Sequence, residues 1–576
     1  MNHSSRPEKD NLLFFLALVS AVVVGLFLRV YLVKDQVFAD DEWHGLYYVI
    51  GKSPFWLLTH FSIPGATCIP LNLYTWVLGA TVGWSEIGLR LPLLICGILC
   101  VLVCPLLARE IIGTRQSAWL ALLLAISPLL VFYSRICRPY SAVALFSFAA
   151  ILFAARWARY GGWRAGVFYI VAAILAVYFH LFAIITALAP ALAAIVYHLL
   201  VRIRRKQEQA AVKPPLHHWI IATAIILAVS TLLLSVPMLQ SMRSTFFTIA
   251  LKGSFSIQSL PPIAMLLAGT GQPVLIALFW VAFIVGVIEQ SYKNSWFGWT
   301  LVSLFPLHVL ALLLSRPDSA QSAIVLVRYS ILLVPVCLLF VACGIQASLD
   351  AIAARTEFRP VLQNLIAIVC VAALALTGPL PQCYVRPNNF TSHGAFQYRY
   401  GRIDWSHSFH SDLTPSDFTL NTVIQAREVS PFYSMLGKDP DGRPIVEYPM
   451  MIGDHFNPLY YYQHFGKRPV IVGYATDVAL PRGLAAGNIY GDTYIDQVIS
   501  LVHDPSRLQF RNFISMDDLS AMRSRGVEYI VLHKRYEAQL YAVAMPLPDL
   551  ARLYKQYSEK IGAPAYEDTH IVVWHL

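Results

Sequence analysis

The 576-residue chain is 57% hydrophobic and only 13% charged, with a mean hydropathy of +0.58, a composition that excludes a purely water-soluble globular protein. Its net charge of +10 would suit nucleic acid if it were gathered in one patch, but the Lys and Arg residues fall largely between apolar runs, where lipid headgroups and topology account for them. Nine cysteines, most of them inside apolar runs and Cys383 alone in the polar third, exclude a disulfide scaffold and leave the redox compartment unread.

The first apolar run, Leu12 to Val33, is long enough to span and lacks a small-residue cleavage site, so it reads as an uncleaved helix. Further runs follow at Leu91 to Ala108, Ser117 to Tyr133, Tyr140 to Ala155, Ala165 to Phe182, Ala183 to Leu200, Trp219 to Leu239, Pro262 to Ile288, Trp296 to Leu314, Tyr329 to Ser348 and Val361 to Leu380. Each is close to the ~20 residues that cross the hydrocarbon core as a helix, which predicts roughly eleven spans over residues 1–380. The basic clusters at Arg6 and Lys9, Arg109 and Arg115, Arg156 to Arg164, Arg202 to Lys206, Lys293, and Arg355 with Arg359 all fall on one side of that arrangement. Positive residues mark the cytoplasmic side. The N-terminus is therefore expected in the cytoplasm, with residues 34–90 as a first extracytoplasmic loop and residues 381–576 outside the membrane. A bacterial inner (plasma) membrane is the expected location.

Residues 381–576 change character. Turn-rich segments such as Arg386-Pro387-Asn388-Asn389 and Lys438-Asp439-Pro440-Asp441-Gly442 separate short β-rich runs. Strands are predicted at Pro444 to Tyr448, Pro469 to Gly473, Val527 to Leu532 and His570 to Trp574, and a helix at Met516 to Arg525 that Gly526 ends. The segment reads as a soluble α/β domain following a polytopic helical one.

Two polar clusters carry the chemistry. Just past the first run stands Phe38-Ala39-Asp40-Asp41-Glu42-Trp43-His44, three consecutive carboxylates and a histidine among aromatics. Adjacent side chains cannot all face one way, so one of Asp40, Asp41 and Glu42, and not all three, should act as a base. The competing reading is a solvated acidic loop. After the third run comes Ser127-Pro128 through Tyr133-Ser134-Arg135-Ile136-Cys137-Arg138-Pro139-Tyr140. Arg135 and Arg138, three residues apart beside Tyr140 and a proline suited to start a helix, make a cationic site that fits a phosphate oxygen. Headgroup snorkelling is its alternative. His44 and His180 are candidate pocket residues, His180 equally readable as a packing histidine, and Arg328 beside Tyr329 is either a second phosphate ligand or an interfacial anchor. No clear metal-ligand set is present, although Asp40, Asp41, Glu42 and His44 offer oxygens and an imidazole that a divalent cation would accept. Cys96, Cys100 and Cys104 share a helical face and read as packing residues. Asn389-Phe390-Thr391 matches a glycosylation sequon by pattern alone.

Together these residues resemble the GT-C membrane glycosyltransferases of the protein O-mannosyltransferase and aminoarabinose transferase group (glycosyltransferase family 39-like), which use polyprenyl-phosphate sugars. The resemblance covers most of the first 350 residues in order: Asp41-Glu42, Ser85-Glu86-Ile87-Gly88-Leu89-Arg90-Leu91-Pro92, Ser127-Pro128 through Arg138-Pro139-Tyr140, Tyr178-Phe179-His180, and Arg328-Tyr329 with Pro335. It implies Asp41 as the base of the Asp-Glu pair and arginine assistance at the donor phosphate. Where many relatives carry His-Pro-Pro-Leu-Tyr in the first outer loop, this chain has Cys68-Ile69-Pro70-Leu71-Asn72, a departure that bears on the shape of the donor or acceptor pocket.

The expected activity is an inverting transfer of a hexosyl or pentosyl group from a polyprenyl-phosphate carrier to a hydroxyl of a glycan, lipid or protein acceptor, at the extracytoplasmic face. A lipid monophosphate can be held by guanidinium groups, so no cofactor is required by this reading. The rival is a transporter or flippase of lipid-linked sugars, which would place its polar groups near the midplane, whereas the charges here gather at span ends. Lipids, the lipid-linked donor and the acceptor are the expected partners, and nucleic acid is not.

Overall fold

The structure is a computed structural model and describes residues 6–31, 33, 42, 45–46, 48–49, 51–61, 68–204, 212–250, 260–293, 295–315, 323–355, 360–378, 380, 430–439, 442–443, 445–448, 466, 468, 470–471, 516–524, 526–534, 539–540, 543–544, 550–569 and 571–576. Its helices, in chain order, are α1 (Arg6–Val30), α2 (Pro54–Thr59), α3 (Ile69–Thr81), α4 (Glu86–Ile112), α5 (Thr114–Ile126), α6 (Pro128–Ser134), α7 (Tyr140–Tyr160), α8 (Trp163–Phe179) and α9 (Ile184–Arg204). They continue as α10 (Leu216–Ala250), α11 (Leu260–Ala268), α12 (Pro273–Lys293), α13 (Ser295–Ser315), α14 (Ala323–Tyr329), α15 (Val334–Arg355) and α16 (Pro360–Thr377). Local chemistry sets many of these ends. Ser85 caps α4 by accepting the Gly88 N–H at 3.1 Å, with Glu86 in the first turn and Arg109 in the last, where the helix dipole favours each sign.

Among the described residues, eight helices are long and apolar enough to cross a membrane, or nine when α5 and α6 count as one bent span. The eleven segments expected from the sequence are therefore not all of one kind. α8 is 17 residues long and ends where His180 turns to extended geometry, and the apolar part of α16 is likewise short. Pro262 to Ile288, expected as one span, is two helices, α11 and α12, parted at Gly269 to Gln272. The run expected at Tyr329 to Ser348 enters its long helix only at Val334, after a 3-10 turn at Ile331–Leu333.

The 55° bend between α5 and α6 follows from Ser127-Pro128. Proline disfavours the helical conformation in the residue before it, and Ser127 is extended at φ −61°, ψ 116°. Gly269, at the end of α11, sits against this bend. Its φ is +76°, and a Cβ there would lie 2.7 Å from Pro128, so only glycine meets both the backbone and the space requirement. α12 packs along α15 with backbones nearly touching, since a Cβ on Gly344 would fall 1.7 Å from the Ala282 carbonyl oxygen.

At the end of the bundle that holds the start of α1, Arg115 pairs with Asp10 at 3.1 Å, Arg109 bonds to Asn11, and Arg156 pairs with Glu110 at 3.3 Å. Each of these basic residues, which the sequence assigns to one membrane side, thus finds a polar partner on a neighbouring helix.

The C-terminal part holds a five-stranded mixed sheet in the order β2-β1-β3-β7-β6. β1 (Ile445–Tyr448) is parallel to β2 (Val470–Ile471) and β3 (Tyr529–His533), while β7 (Ile571–His575) is antiparallel to β3 and β6 (Tyr566–Glu567). A separate pair, β4 (Gln539–Leu540) and β5 (Val543–Ala544), is antiparallel. The four expected strands are present, the helix expected at Met516 to Arg525 spans Met516–Ser524, and further helices lie at Pro431–Leu436 and Leu550–Ile561. Trp574, fully buried, packs against Tyr557 at 5.3 Å. The sheet's apolar core forms one buried cluster with Leu71 of α3 and with Leu89 and Leu93 of α4.

Candidate active site

Glu42 and Arg90, neither with any side-chain exposure, form a two-pronged ion pair: Arg90 Nε donates to Oε1 at 2.8 Å and Nη2 to Oε2 at 2.7 Å. The Cys137 amide donates to the same Oε1 at 2.7 Å, and Arg90 Nη1 reaches the Val33 carbonyl at 3.4 Å. A buried ion pair is sustained only when its remaining hydrogen-bonding capacity is met, and three bonds on one carboxylate provide that. Glu42 is thereby tied to the start of α4 and to the turn between α6 and α7. Asp40, Asp41 and His44, expected beside it as base candidates and pocket residue, lie outside the described residues, as do the Asn389 sequon and Cys383.

The two arginines of the second cluster part company. Arg135 follows α6 and sends Nη1 to the carbonyls of Leu28, Arg29 and Tyr31, at 3.0, 3.2 and 2.9 Å. These lie at the C-terminal end of α1, where carbonyls lack intrahelical donors and the dipole attracts a cation. Arg29, fully buried near the end of α1, acts on the bend in the same way: Nη2 donates to the Leu124 carbonyl at 3.2 Å and Nη1 to Ala125 at 3.1 Å. Leu124 would be served in an unbroken helix by the N–H of residue 128, which proline lacks. Arg29 supplies the missing donor.

Arg138, three residues on and also buried, belongs to a different neighbourhood. It lies within electrostatic reach of His180, as do His308 and Arg328. The Tyr140 ring lies 6.3 Å from the His180 ring and the Tyr329 ring 5.9 Å from it, and the Arg328 guanidinium sits 5.6 Å over Tyr329. His180 is placed by the end of α8, where its φ of −159° leaves the helix and its Nδ1 accepts the Phe182 N–H at 3.3 Å. Three interruptions therefore meet at one end of the bundle: the turn before α7, the end of α8, and the end of α14. Arg138, Tyr140, His180, Arg328 and Tyr329 converge there, and Arg135 faces α1.

Two guanidiniums, two phenols and an imidazole in a largely buried setting suit a phosphate monoester and the polar groups of a sugar. Among the described residues no group of three or more His, Cys, Asp or Glu side chains stands close enough to hold a metal ion. Cys100 and Cys104 are buried free thiols with sulfurs 4.0 Å apart on α4. Arg90 and Arg29 carry weight that the sequence does not announce. The only sign of Arg90 is its place in the Ser85 to Pro92 motif, and Arg29 shows only as a charge inside an apolar run.

No family model matches the chain, and no curated protein matches it. The chain, a helical bundle followed by a small mixed sheet, has the GT-C membrane fold. Its likeness extends over 97% of both chains to the crystal structure of ArnT from Cupriavidus metallidurans in the apo state, with 16% identity and a TM-score of 0.51. The same protein bound to undecaprenyl phosphate matches with 15% identity, 97% coverage of both chains and a TM-score of 0.51. The oligosaccharyltransferase AglB from Archaeoglobus fulgidus, in complex with an inhibitory peptide and a dolichol-phosphate, aligns over 90% of this chain and 69% of its own at 14% identity and a TM-score of 0.40.

Proposed function

We propose that the chain is a glycosyltransferase that takes a sugar from a polyprenyl-phosphate carrier and places it, with inversion, on an acceptor hydroxyl at the extracytoplasmic face. The observation that carries this reading is the convergence of Arg138, Arg328, Tyr140 and Tyr329 around His180, beside a loop anchored by Glu42. The ArnT likeness, which includes a complex with undecaprenyl phosphate, supports the donor class.

In this reading Asp41 removes the proton from the acceptor hydroxyl, whose oxygen attacks the anomeric carbon from the face opposite the phosphate. The bond between that carbon and the phosphate oxygen breaks, and its electron pair leaves with the polyprenyl phosphate. Arg138 and Arg328 stabilise the charge that grows there. Glu42, already committed to Arg90 and the Cys137 amide, serves by holding its neighbour in place. A divalent cation on Asp40, Asp41 and His44 is a variant of the same reading, tested by comparing activity in EDTA with activity after Mg²⁺, Mn²⁺ or Zn²⁺ is restored.

Purified protein given radiolabelled undecaprenyl-phosphate sugars, singly and with cell-envelope lipid, glycan or protein fractions, should release undecaprenyl phosphate and label an acceptor with the anomeric configuration reversed. Movement of intact donor across a vesicle membrane without release of phosphate carrier would favour the flippase reading instead. Sidedness has its own test: a C-terminal alkaline phosphatase fusion should be active and a β-galactosidase fusion inactive. The opposite pattern would remove the site from the outer face.

A further inference from the structure

His308 lies within α13, a span of otherwise apolar and hydroxyl side chains, and is 1% exposed. A polar side chain buried in a membrane helix is costly unless another element uses it. Its Nε2 and the Ser330 hydroxyl are hydrogen-bonded at 3.1 Å, and its Nδ1 has no hydrogen-bond partner among the described residues. The ring stands 5.8 Å from Phe182, which in turn lies 5.5 Å from His180 and 5.6 Å from Tyr329.

Ser330 is the residue at which α14 stops. Its φ of −92° and ψ of 6° depart from the helix, its N–H is shared between the Leu326 and Val327 carbonyls at 3.0 and 3.1 Å, and its carbonyl accepts the Leu333 N–H at 2.9 Å. The chain turns here, and the two residues just before the turn are Arg328 and Tyr329. Besides these local backbone bonds, a side-chain hydrogen bond from a separate span, α13, meets the turn at Ser330.

We propose that His308 is a positioning residue: by holding the Ser330 hydroxyl it sets the break that presents Arg328 and Tyr329 to His180 and to a lipid-linked phosphate. This rests on the reading of the site given above.

The test is the affinity of the purified protein, in nanodiscs, for undecaprenyl phosphate. His308→Phe keeps the ring and removes the hydrogen bond, and should weaken binding about tenfold. A glutamine amide reaches the place of Nε2 and an asparagine amide that of Nδ1, so His308→Gln should stay within about threefold of wild type while His308→Asn falls with His308→Phe. Ser330→Ala should match His308→Phe, and the double variant should be no weaker than either, because both remove one bond. Thr300→Ala is the control on the same helix, since among the described residues its hydroxyl bonds only to the Trp296 carbonyl at 2.6 Å in its own turn. Wild-type affinity in His308→Phe, additive losses in the double variant, or an equal loss in Thr300→Ala would each overturn the proposal. If His308→Phe does not fold, Ser330→Ala and His308→Gln carry the same comparison. Absence of binding by the wild-type protein would remove the donor reading and this inference together, whereas binding by wild type and unchanged binding by the variants removes only the role of His308.

Discussion

The site end of the bundle contains two sets of charged groups that differ in what they face. Arg29, Arg90 and Arg135 reach into the protein itself, to helix-end carbonyls in two cases and to Glu42 in the third. Arg138 and Arg328 stand instead about His180 with Tyr140 and Tyr329. The first set follows from breaking helices inside a membrane: each break frees carbonyls that no water can serve, and a guanidinium is the side chain with enough donors to serve several. The second set stands where the breaks meet; of the first, Arg29 serves the α5–α6 bend, Arg90 through Glu42 the turn before α7, and Arg135 the end of α1. Residue type does not separate the two sets, since Arg135 and Arg138 are three residues apart.

The largest effect should come from the acidic pair. In the proposed mechanism Asp41→Asn removes a base while keeping shape, and transfer should fall about 100- to 10,000-fold with membrane insertion and undecaprenyl phosphate binding retained. If turnover stayed at the wild-type level, Asp41 would belong with the structural set and the base would have to be sought in Asp40. Glu42→Gln should show the opposite profile. It leaves the Arg90 guanidinium buried without its counter-charge, a change that costs ~3–5 kcal/mol of stability. Thermal unfolding of the purified protein reads this, and adding Arg90→Met to Glu42→Gln should recover much of it. A stable Glu42→Gln protein with no activity would move Glu42 into the chemical set.

Next in size is the arginine contrast. Arg138→Ala should weaken donor binding by ~2 kcal/mol, roughly thirtyfold, with Arg138→Lys recovering part because a point charge replaces a fork. Arg135→Ala should lower the unfolding temperature and leave the affinity of whatever protein folds close to wild type. Equal loss of affinity in both variants would dissolve the distinction.

Much of the architecture is legible in the sequence because it is written locally. The apolar runs, the Ser127-Pro128 bend, and strands such as Tyr529–His533 and Ile571–His575 each depend on residues within a few positions of one another. The sequence also points to Arg138, Tyr140, His180, Arg328 and Tyr329, which the fold brings to one end of the bundle. The wiring around them is not legible, because Glu42 and Arg90 are 48 residues apart and nothing local tells a paired carboxylate from a reactive one. His308 escapes for a related reason: a single histidine in an apolar helix has the same local signature whether it packs or positions. Hydropathy alone does not place a span's ends where a glycine or proline divides a run, as between α11 and α12, and does not separate the shorter apolar helices α8 and α16 from full-length spans.

The smallest predicted effect concerns the C-terminal sheet and asks whether it stands apart from the bundle, as a proposed domain boundary at residues 380–381 requires. Gly526 ends the Met516–Ser524 helix with φ +72°, and a Cβ there would meet nothing within 4 Å. Gly526→Ala therefore adds no clash and tests the backbone alone, for which the left-handed conformation costs ~1–2 kcal/mol in a residue with a Cβ. If the sheet is an independent domain, this loss should lower one unfolding transition and leave the transition of the bundle, and transfer activity, at wild-type values. The buried cluster that joins Leu71, Leu89 and Leu93 to Val531 and Trp574 argues for the other outcome, in which both parts melt together and the whole protein loses stability. A single shifted transition would mean that the sheet is part of the scaffold holding the start of α4, and with it Arg90, in place.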